Sequence, residues 1–304
     1  MKILLAASEA VPYAKTGGLA DVAGALPKAL SRLGHEVRVL IPRYNIEKIE
    51  ASGDRAGFEL EVPFADGSTR SAVYVDDSGA VPVFFLDAPR YFHRGRLYGE
   101  LDDAERFAYF SRAVVEFARM EKPGFDIIHL NDWMTGLVPA YLKTIYPSDD
   151  AVRNTKTVFT IHNLAFHGRF GAGLLPKIGL PGWVYRQEAG IEFYGEASSL
   201  KAGLVFSDAI TTVSPRYSHE IQTAEFGERF DGLLRSRSGD LFGILNGVDY
   251  DEWNPETDTH ISRNYSTRDL TGKRECKRDL LKLFGLSIDN GEMDRPLIGC
   301  ISRL

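Results

Sequence analysis

The first 33 residues, MKILLAASEAVPYAKTGGLADVAGALPKALSRL (Met1–Leu33), indicate how the chain folds. The apolar run Lys2–Ala7 predicts a buried strand, and the pair Gly17-Gly18 follows it after a short loop. Beyond the glycines, apolar side chains recur at helical spacing along one face: Leu19, Val22, Ala23, Leu26, Leu30 and Leu33. A strand, a glycine turn and an amphipathic helix in this order predict the first half of a βαβ unit.

The alternation of short apolar runs with helical patterns continues along most of the chain. Further predicted strands are Val37–Ile41, Asp126–Leu130, Thr157–Ile161, Ala209–Val213 and Leu241–Leu245. Period-2 stretches from Phe58 to Leu86 predict antiparallel hairpins, with one turn at Asp66-Gly67, and residues from Leu101 to Met120 predict a long helix. The predicted fold class is α/β: a Rossmann-like, doubly wound, mostly parallel sheet with an added antiparallel hairpin region.

The residue composition of the sequence changes after Asn246-Gly247. Residues from Trp253 to Arg278 are polar and charged, and an apolar run from Pro296 to Leu304 predicts a new buried strand. We therefore expect a Rossmann-like domain over residues 1–247, then an interdomain segment and the first strand of a second domain over residues 248–304. Because a parallel strand needs a crossover and a return strand, nearly all of that second domain is expected to be absent from this sequence.

Composition limits the classes of function. The 304 residues carry 36 basic and 42 acidic side chains, a net charge of −6, so neither a nucleic acid nor an anionic membrane is expected as a partner. Hydrophobic residues at 44% and charged residues at 26% predict a globular protein. No signal peptide or membrane span is predicted, and two cysteines, Cys276 and Cys300, without disulfide or metal spacing favour a cytoplasmic location.

The strongest local signal for binding is the glycine turn with Lys15 just before it. Unpaired N–H groups at a helix N-terminus, together with a lysine, can hold a phosphate group. By spacing alone, Gly17 and Gly18 are as consistent with a simple turn as with a phosphate site. The pattern is neither G-x-G-x-x-G nor G-x-x-x-x-G-K-[ST], which counts against NAD-linked oxidoreductases and P-loop NTPases.

Polar residues follow two other predicted strands, at His129–Trp133 and Thr160–Asn163. Ligands of open α/β sheets gather at such carboxyl ends, so a shared cleft is expected there. Structural roles are also open: Asp132 is a good N-cap for the next helix, and His129 is suited to pack within the sheet. Ser214-Pro215 predicts another helix N-terminus, and Asn246-Gly247 is compatible with a turn alone. Metal-site spacing is absent for His35, His93, His219 and His260, and neither cysteine has the local signature of a nucleophile.

Taken together, these motifs resemble the bacterial glycogen synthase and plant starch synthase family. Each motif is common, but their order and spacing over nearly the whole chain make the match close. The motifs are Lys15–Val22, His129–Trp133, Thr160–Ala165, Phe193–Gly203, Thr212–Pro215 and Leu245–Asp249.

The resemblance implies a GT-B architecture, in which two Rossmann-like domains face each other across a cleft. It also implies transfer of glucose from ADP-glucose to the non-reducing end of an α-1,4-glucan such as glycogen, with retention of configuration and without a metal or other cofactor. Lys15 would contact the nucleotide sugar, Gly17 and Gly18 would let the backbone approach the phosphates, and Asp21 would lie beside the nucleotide.

The same resemblance implies roles for residues beyond the glycine turn. His162 would line the glucose pocket, with its carbonyl toward the developing oxocarbenium and its side chain toward a sugar hydroxyl. Asp132 would order the site, and Tyr98 would face the acceptor. The remaining substrate-binding candidates are Asn163, Asn246 and Arg303.

The family pattern continues past Leu304 with a second phosphate-binding lysine and a Glu motif that this sequence lacks. The resemblance therefore implies the N-terminal portion of such an enzyme, expected to be inactive alone. A non-catalytic module that binds α-glucan or a nucleotide sugar is the alternative. The sequence does not indicate an oligomeric state.

Overall fold

The computed structural model describes residues 1–44, 56–64 and 67–301. It contains two compact units, Met1–Gly247 and Val248–Leu304. The assignment of the second unit as an interdomain segment and the beginning of a further domain stays a prediction.

A nine-stranded sheet forms the centre of the first unit. Its strands are β1 (Lys2–Ala6), β2 (Glu36–Pro42), β3 (Ala56–Phe64), β4 (Gly67–Asp76), β5 (Val83–Asp87), β6 (Ile127–Asn131), β7 (Lys156–Ile161), β11 (Ala209–Thr212) and β12 (Leu241–Gly243). Their order across the sheet is β12-β11-β7-β6-β1-β2-β5-β4-β3. The pairs from β12 to β5 are all parallel, whereas β4 pairs in antiparallel fashion with both β5 and β3.

The predicted α/β class is therefore confirmed, with one difference in the hairpin region. Its last strand, β5, joins the parallel sheet beside β2 and also closes the antiparallel part beside β4. The turn residue Asp66 lies outside the described residues. A separate three-stranded antiparallel sheet is formed by β8 (Arg169–Phe170), β9 (Glu192–Phe193) and β10 (Glu196–Ser198).

Helices connect the strands and cover the sheet. They are α1 (Gly18–Arg32), α2 (Pro89–Phe92), α3 (Asp103–Met120), α4 (Leu137–Thr144), α5 (Ser199–Phe206), α6 (Pro215–Glu220) and α7 (Asp231–Ser236). Of the predicted apolar stripe of α1, Leu19 and Ala23 are buried in the core and Leu26 and Leu30 pack partly buried against it, but Leu33 lies past the helix end and is exposed. The long helix predicted before Pro123 is α3, and most of its side chains are buried.

The second unit contains two helices, α8 (Thr271–Leu283) and α9 (Asn290–Asp294). The strand predicted from Pro296 is wrong for the described residues, since 296–301 have no regular secondary structure and Ile298 and Ile301 are exposed. Strand hydrogen bonds come only from a neighbouring strand. The described residues of this unit contain no strand that could pair with residues 296–301.

Candidate active site

The strand order creates a crevice between β1 and β6. The chain leaves β1 toward β2 and β5, and later returns to the other side of β1 to form β6, β7 and β11. In open α/β sheets a ligand binds outside the carboxyl ends of the strands where the direction of winding reverses. The residues that follow β1, β6 and β7 are therefore neighbours at the expected binding position, in agreement with the shared cleft predicted from the two polar strand ends.

Asn131 joins all three strand ends. Its Nδ2 donates to the carbonyl oxygen of Ala6 at 3.0 Å, and its Oδ1 lies 2.9 Å from Nε2 of His162. Because a carbonyl oxygen only accepts, the amide orientation is fixed and Nε2 of His162 must donate. The Nδ1 atom of a neutral His162 is then an acceptor, the correct polarity for a hydroxyl donor.

Asp132 occupies an unusual backbone conformation directly after β6. Its φ of 56° and ψ of −176° lie in a region that non-glycine residues rarely adopt, at a cost of about 1–3 kcal/mol. Its Oδ1 accepts from the backbone N–H of His162 at 2.7 Å and of Asn163 at 3.4 Å. The expected capping role is wrong, because the carboxylate makes no cap hydrogen bond to the turn Trp133–Thr135 and holds the end of β7 instead.

Burial shifts the protonation of these groups. It lowers the pKa of His162 to about 4, with a smaller contribution from neighbouring His129, and it lowers the pKa of His129 to about 4 as well. Both imidazoles are therefore neutral at neutral pH. Burial raises the pKa of Asp132 to about 7, although the two backbone N–H groups favour the carboxylate, and the charge of Glu9 adds to the rise.

His129 has the structural role that its position suggested. Its Nε2 lies 2.6 Å from Oγ1 of Thr160, and this hydroxyl lies 2.6 Å from that of Thr211 on the next strand. The three side chains link β6, β7 and β11 across one face of the sheet. Ser214 likewise caps α6 as predicted, because its hydroxyl accepts from the N–H of Tyr217.

The glycine turn leads directly into α1. Gly17 is the N-cap residue and provides no side chain to the first N–H groups of the helix. A Cβ atom at Gly18 would meet no protein atom within 4 Å, so packing does not require glycine there. Lys15 and Asp21 are both exposed and form an ion pair of 2.6 Å across the turn. A helix N-terminus with an adjacent lysine is suited to an anion.

Tyr98 is placed at the same end of the sheet through Ser8, which follows β1. The two hydroxyl oxygens are 2.7 Å apart, and the backbone carbonyl of Ser8 accepts from the hydroxyl of buried Tyr44 at 2.8 Å. Burial raises the pKa of Tyr98 well above its usual value, so its hydroxyl keeps its proton. The loop containing Tyr98 is thereby tied to the strand that precedes the glycine turn.

The remaining predicted residues are Asn163, Asn246 and Arg303. Asn163 is exposed, and its Oδ1 accepts from the N–H of Ala165 at 3.0 Å. Asn246 is exposed in the irregular segment after β12, at the edge of the sheet. Arg303 lies outside the described residues. No role predicted for any of these three residues is tested by the geometry.

A cleft of about 570 Å³ begins beside Asp132, at Trp133. The volume suits a small-molecule ligand. Phe166 and Phe193 are among its aromatic residues, and Glu228 and Arg229, both in the left-handed backbone region, are among its charged ones. Its other lining residues are Ala165, His167, Gly168 and Arg169. Six of the nine lining residues thus follow His162 in the chain, between positions 165 and 193.

Sequence reasoning missed Asn131, Glu9 and the pair Glu228-Arg229. Glu9 and Asn131 stand at strand ends, so the rule that selected Asp132 would also have selected them. No local pattern marks Glu228-Arg229. Across residues 1–44, 56–64 and 67–301, no group of three or more His, Cys, Asp or Glu side chains is placed to hold a metal ion. Within the same ranges no helix is long and apolar enough to cross a membrane.

Comparison with known proteins gives a consistent result. The family model described as the starch synthase catalytic domain matches residues 2–236. Glycogen synthases from Koribacter versatilis and Syntrophotalea carbinolica are each 46% identical to the chain over its entire length. The chain covers 62% of the first and 63% of the second, so it spans less than two thirds of these relatives.

Similarity extends to a solved structure. The catalytic domain of starch synthase IV from Arabidopsis thaliana, bound to ADP and acarbose, superposes with a TM-score of 0.83 at 34% sequence identity. The match covers 94% of this chain and 59% of that chain. The sequence match, the shared fold and the strand-end site agree, and the chain belongs to the starch synthase catalytic domain family.

Proposed function

We propose that this chain supplies the N-terminal part of a GT-B glycogen or starch synthase. That enzyme transfers glucose from ADP-glucose to the non-reducing end of an α-1,4-glucan with retention of configuration. The observation that carries the proposal is the hydrogen-bonded group Asn131, Asp132 and His162 at the winding reversal, with the glycine turn after the adjacent strand. The family membership and the ADP bound to the Arabidopsis relative support the choice of a nucleotide sugar.

In the proposed reaction the bond between the glucose C1 and the diphosphate oxygen breaks. The 4-hydroxyl oxygen of the terminal glucose of the glucan attacks C1 from the same face, and its proton passes to the departing diphosphate oxygen. The products are ADP and a glucan longer by one residue. Since the leaving group accepts the proton, the protein's contribution is positioning and electrostatic stabilisation.

The nucleotide diphosphate is assigned to the start of α1. The N–H groups after Gly17 and the ammonium of Lys15 stabilise the negative charge that grows on the leaving group. Binding there requires Lys15 to exchange some or all of its contact with Asp21 for the phosphates. Gly18 lets the diphosphate approach the backbone, which accounts for a glycine where the protein itself has open space.

The transferred glucose is assigned to the pocket beside His162. The acceptor atom Nδ1 suits a sugar hydroxyl, and a neutral imidazole avoids placing a second positive charge beside the developing oxocarbenium. Asp132 fixes this residue through its backbone N–H, so the His162 carbonyl keeps one direction during the reaction. Tyr98 is assigned to the acceptor side.

The acceptor glucan is assigned to the cleft that begins at Trp133. Exposed aromatic rings such as Phe166, together with charged groups such as Glu228 and Arg229, provide the apolar faces and polar edges that sugars require. The cleft also favours the second candidate, a module that binds glucan without turning it over.

The test is glucose incorporation into glycogen by the full-length protein that contains this chain, with labelled ADP-glucose and labelled UDP-glucose in parallel. Incorporation from ADP-glucose supports the proposal. Incorporation from UDP-glucose alone would show that the donor is UDP-glucose and not ADP-glucose. Retardation of the 304-residue chain in a glycogen-containing gel, with no incorporation by the full-length protein, would favour the binding module. If the full-length protein incorporates no glucose and the 304-residue chain is not retarded, both the synthase and the binding module are refuted.

A further inference from the structure

Glu9 is a buried charged residue that the proposed reaction leaves unused. It follows β1 directly after Ser8, and only 2% of its surface is exposed. Acidic side chains are rarely buried to this extent without partners that satisfy the carboxylate. Its position at the strand end beside β6 places it in the same crevice as Asp132, and its charge contributes to the raised pKa of Asp132.

The partners of Glu9 lie in the glycine turn. Its Oε2 accepts from the backbone N–H of Thr16 and from the hydroxyl of Thr16 at 3.0 Å. The backbone N–H of Gly17 also stabilises the Glu9 carboxylate. The Glu9 side chain therefore links the segment after β1 to the peptide units that immediately precede α1.

The residue that precedes Glu9 is itself fixed. Ser8 contacts Tyr98 through its hydroxyl and Tyr44 through its carbonyl. Because Ser8 is held by two contacts, the backbone that carries Glu9 has little freedom to move. A side chain on such a fixed backbone can position a loop accurately. Through its hydrogen bonds to Thr16, Glu9 thus restrains the turn that contains Gly17 and Gly18.

We propose that Glu9 is a positioning residue: its buried carboxylate fixes the backbone of Thr16 and Gly17 so that Lys15 and the first N–H groups of α1 face a bound diphosphate. The inference rests on the proposed function. Direct contact with the ligand is disfavoured, because a carboxylate beside a diphosphate places like charges together. Glu9 therefore acts through Thr16, and its effect on the ligand depends on that residue.

The experiment compares E9Q, T16V and the double variant E9Q/T16V with the wild-type protein. A matched control is E116Q, since Glu116 is also a buried carboxylate, paired with Arg112 and Arg119 in α3. Hydrogen exchange of the peptide containing Thr16 is measured on the 304-residue chain. The dissociation constant of ADP is measured on the full-length protein, and the melting temperature is recorded for every variant.

E9Q should speed exchange at Thr16 by about tenfold, because a charged acceptor is replaced by a neutral one. The dissociation constant of ADP should rise by about the same factor. T16V should weaken ADP binding in the wild-type background and have little further effect in E9Q, since residues that act through one another are not additive. E116Q should lower the melting temperature and leave ADP binding unchanged.

Unchanged exchange at Thr16 in E9Q would overturn the inference. So would faster exchange with unaltered ADP affinity, because Glu9 would then stabilise the turn without serving a ligand. Additive effects of E9Q and T16V would also contradict it. Absence of ADP binding by the wild-type protein is seen in the reference titration and contradicts the proposed function itself, so the two failures are distinguishable.

Discussion

Replacing Asp132 with asparagine should change how the stability of the fold depends on pH. Burial raises the pKa of Asp132 from the usual 3.8 to about 7. A carboxyl whose pKa is higher in the folded state stabilises the fold when protonated, and this contribution is lost as pH rises through the folded-state value. The full shift of about three units corresponds to about 4 kcal/mol, of which about 2–3 kcal/mol falls between pH 5 and pH 8.

The histidines near Asp132 act in the opposite direction. Burial lowers the pKa of His129 and of His162 to about 4, below the usual 6.5, so their contribution is lost as pH falls from about 6.5 toward 4. Both are present in the wild-type protein and in D132N. The difference in unfolding free energy between the two proteins therefore isolates Asp132.

The assay is urea unfolding of the chain at several pH values between about 5 and 8, which spans the expected titration of Asp132. We expect D132N to gain about 2–3 kcal/mol of unfolding free energy relative to wild type over this range. Asp150 is highly exposed and forms an ion pair with Arg153, three residues along the chain, so D150N is the control and should follow wild type. A D132N difference that is equal at both ends of the range would refute the raised pKa of Asp132.

Three further outcomes follow from local geometry. G18A should raise the unfolding free energy by about 0.5 kcal/mol, since its Cβ meets open space at the start of a helix, yet weaken ADP binding in a titration. G136A should lower the unfolding free energy by about 1–3 kcal/mol, because its Cβ would lie 2.0 Å from the carbonyl oxygen of Ser199; a neutral result in thermal melts would contradict this packing. F166A should reduce retardation in a glycogen-containing gel, whereas F226A, which removes an exposed ring outside the cleft, should not; equal retardation of both would exclude the cleft as the glucan site.

The sheet was predictable because its signals are local. Each parallel strand is buried on both faces and therefore appears as a short apolar run bounded by turn residues. The stripe of α1 and the glycine turn are likewise contained in 16 consecutive residues, 17–32. The strand expected from Pro296 shows the limit of such reasoning, since an apolar run predicts burial but a strand also needs a partner.

The positions of the site residues were predictable, whereas their partners were not. Strand ends identified Asp132 and His162, but the sequence favoured a capping role for Asp132. The competing donors, the N–H groups of His162 and Asn163, directly follow the neighbouring strand β7 and are 30 and 31 residues away in sequence. Asn131 and Glu9 also stand at strand ends, but their partners could not be predicted, because these contacts form only when β1, β6 and the glycine turn assemble.

In the proposed reaction, the group around His162 holds the transferred glucose. The most direct measurement is the rate of glucose transfer from ADP-glucose to glycogen by the full-length protein carrying H162A, compared with H219A, which alters an exposed histidine of α6. We expect H162A to lose about 100-fold or more in kcat and H219A to keep the wild-type rate. Wild-type turnover by H162A would contradict it.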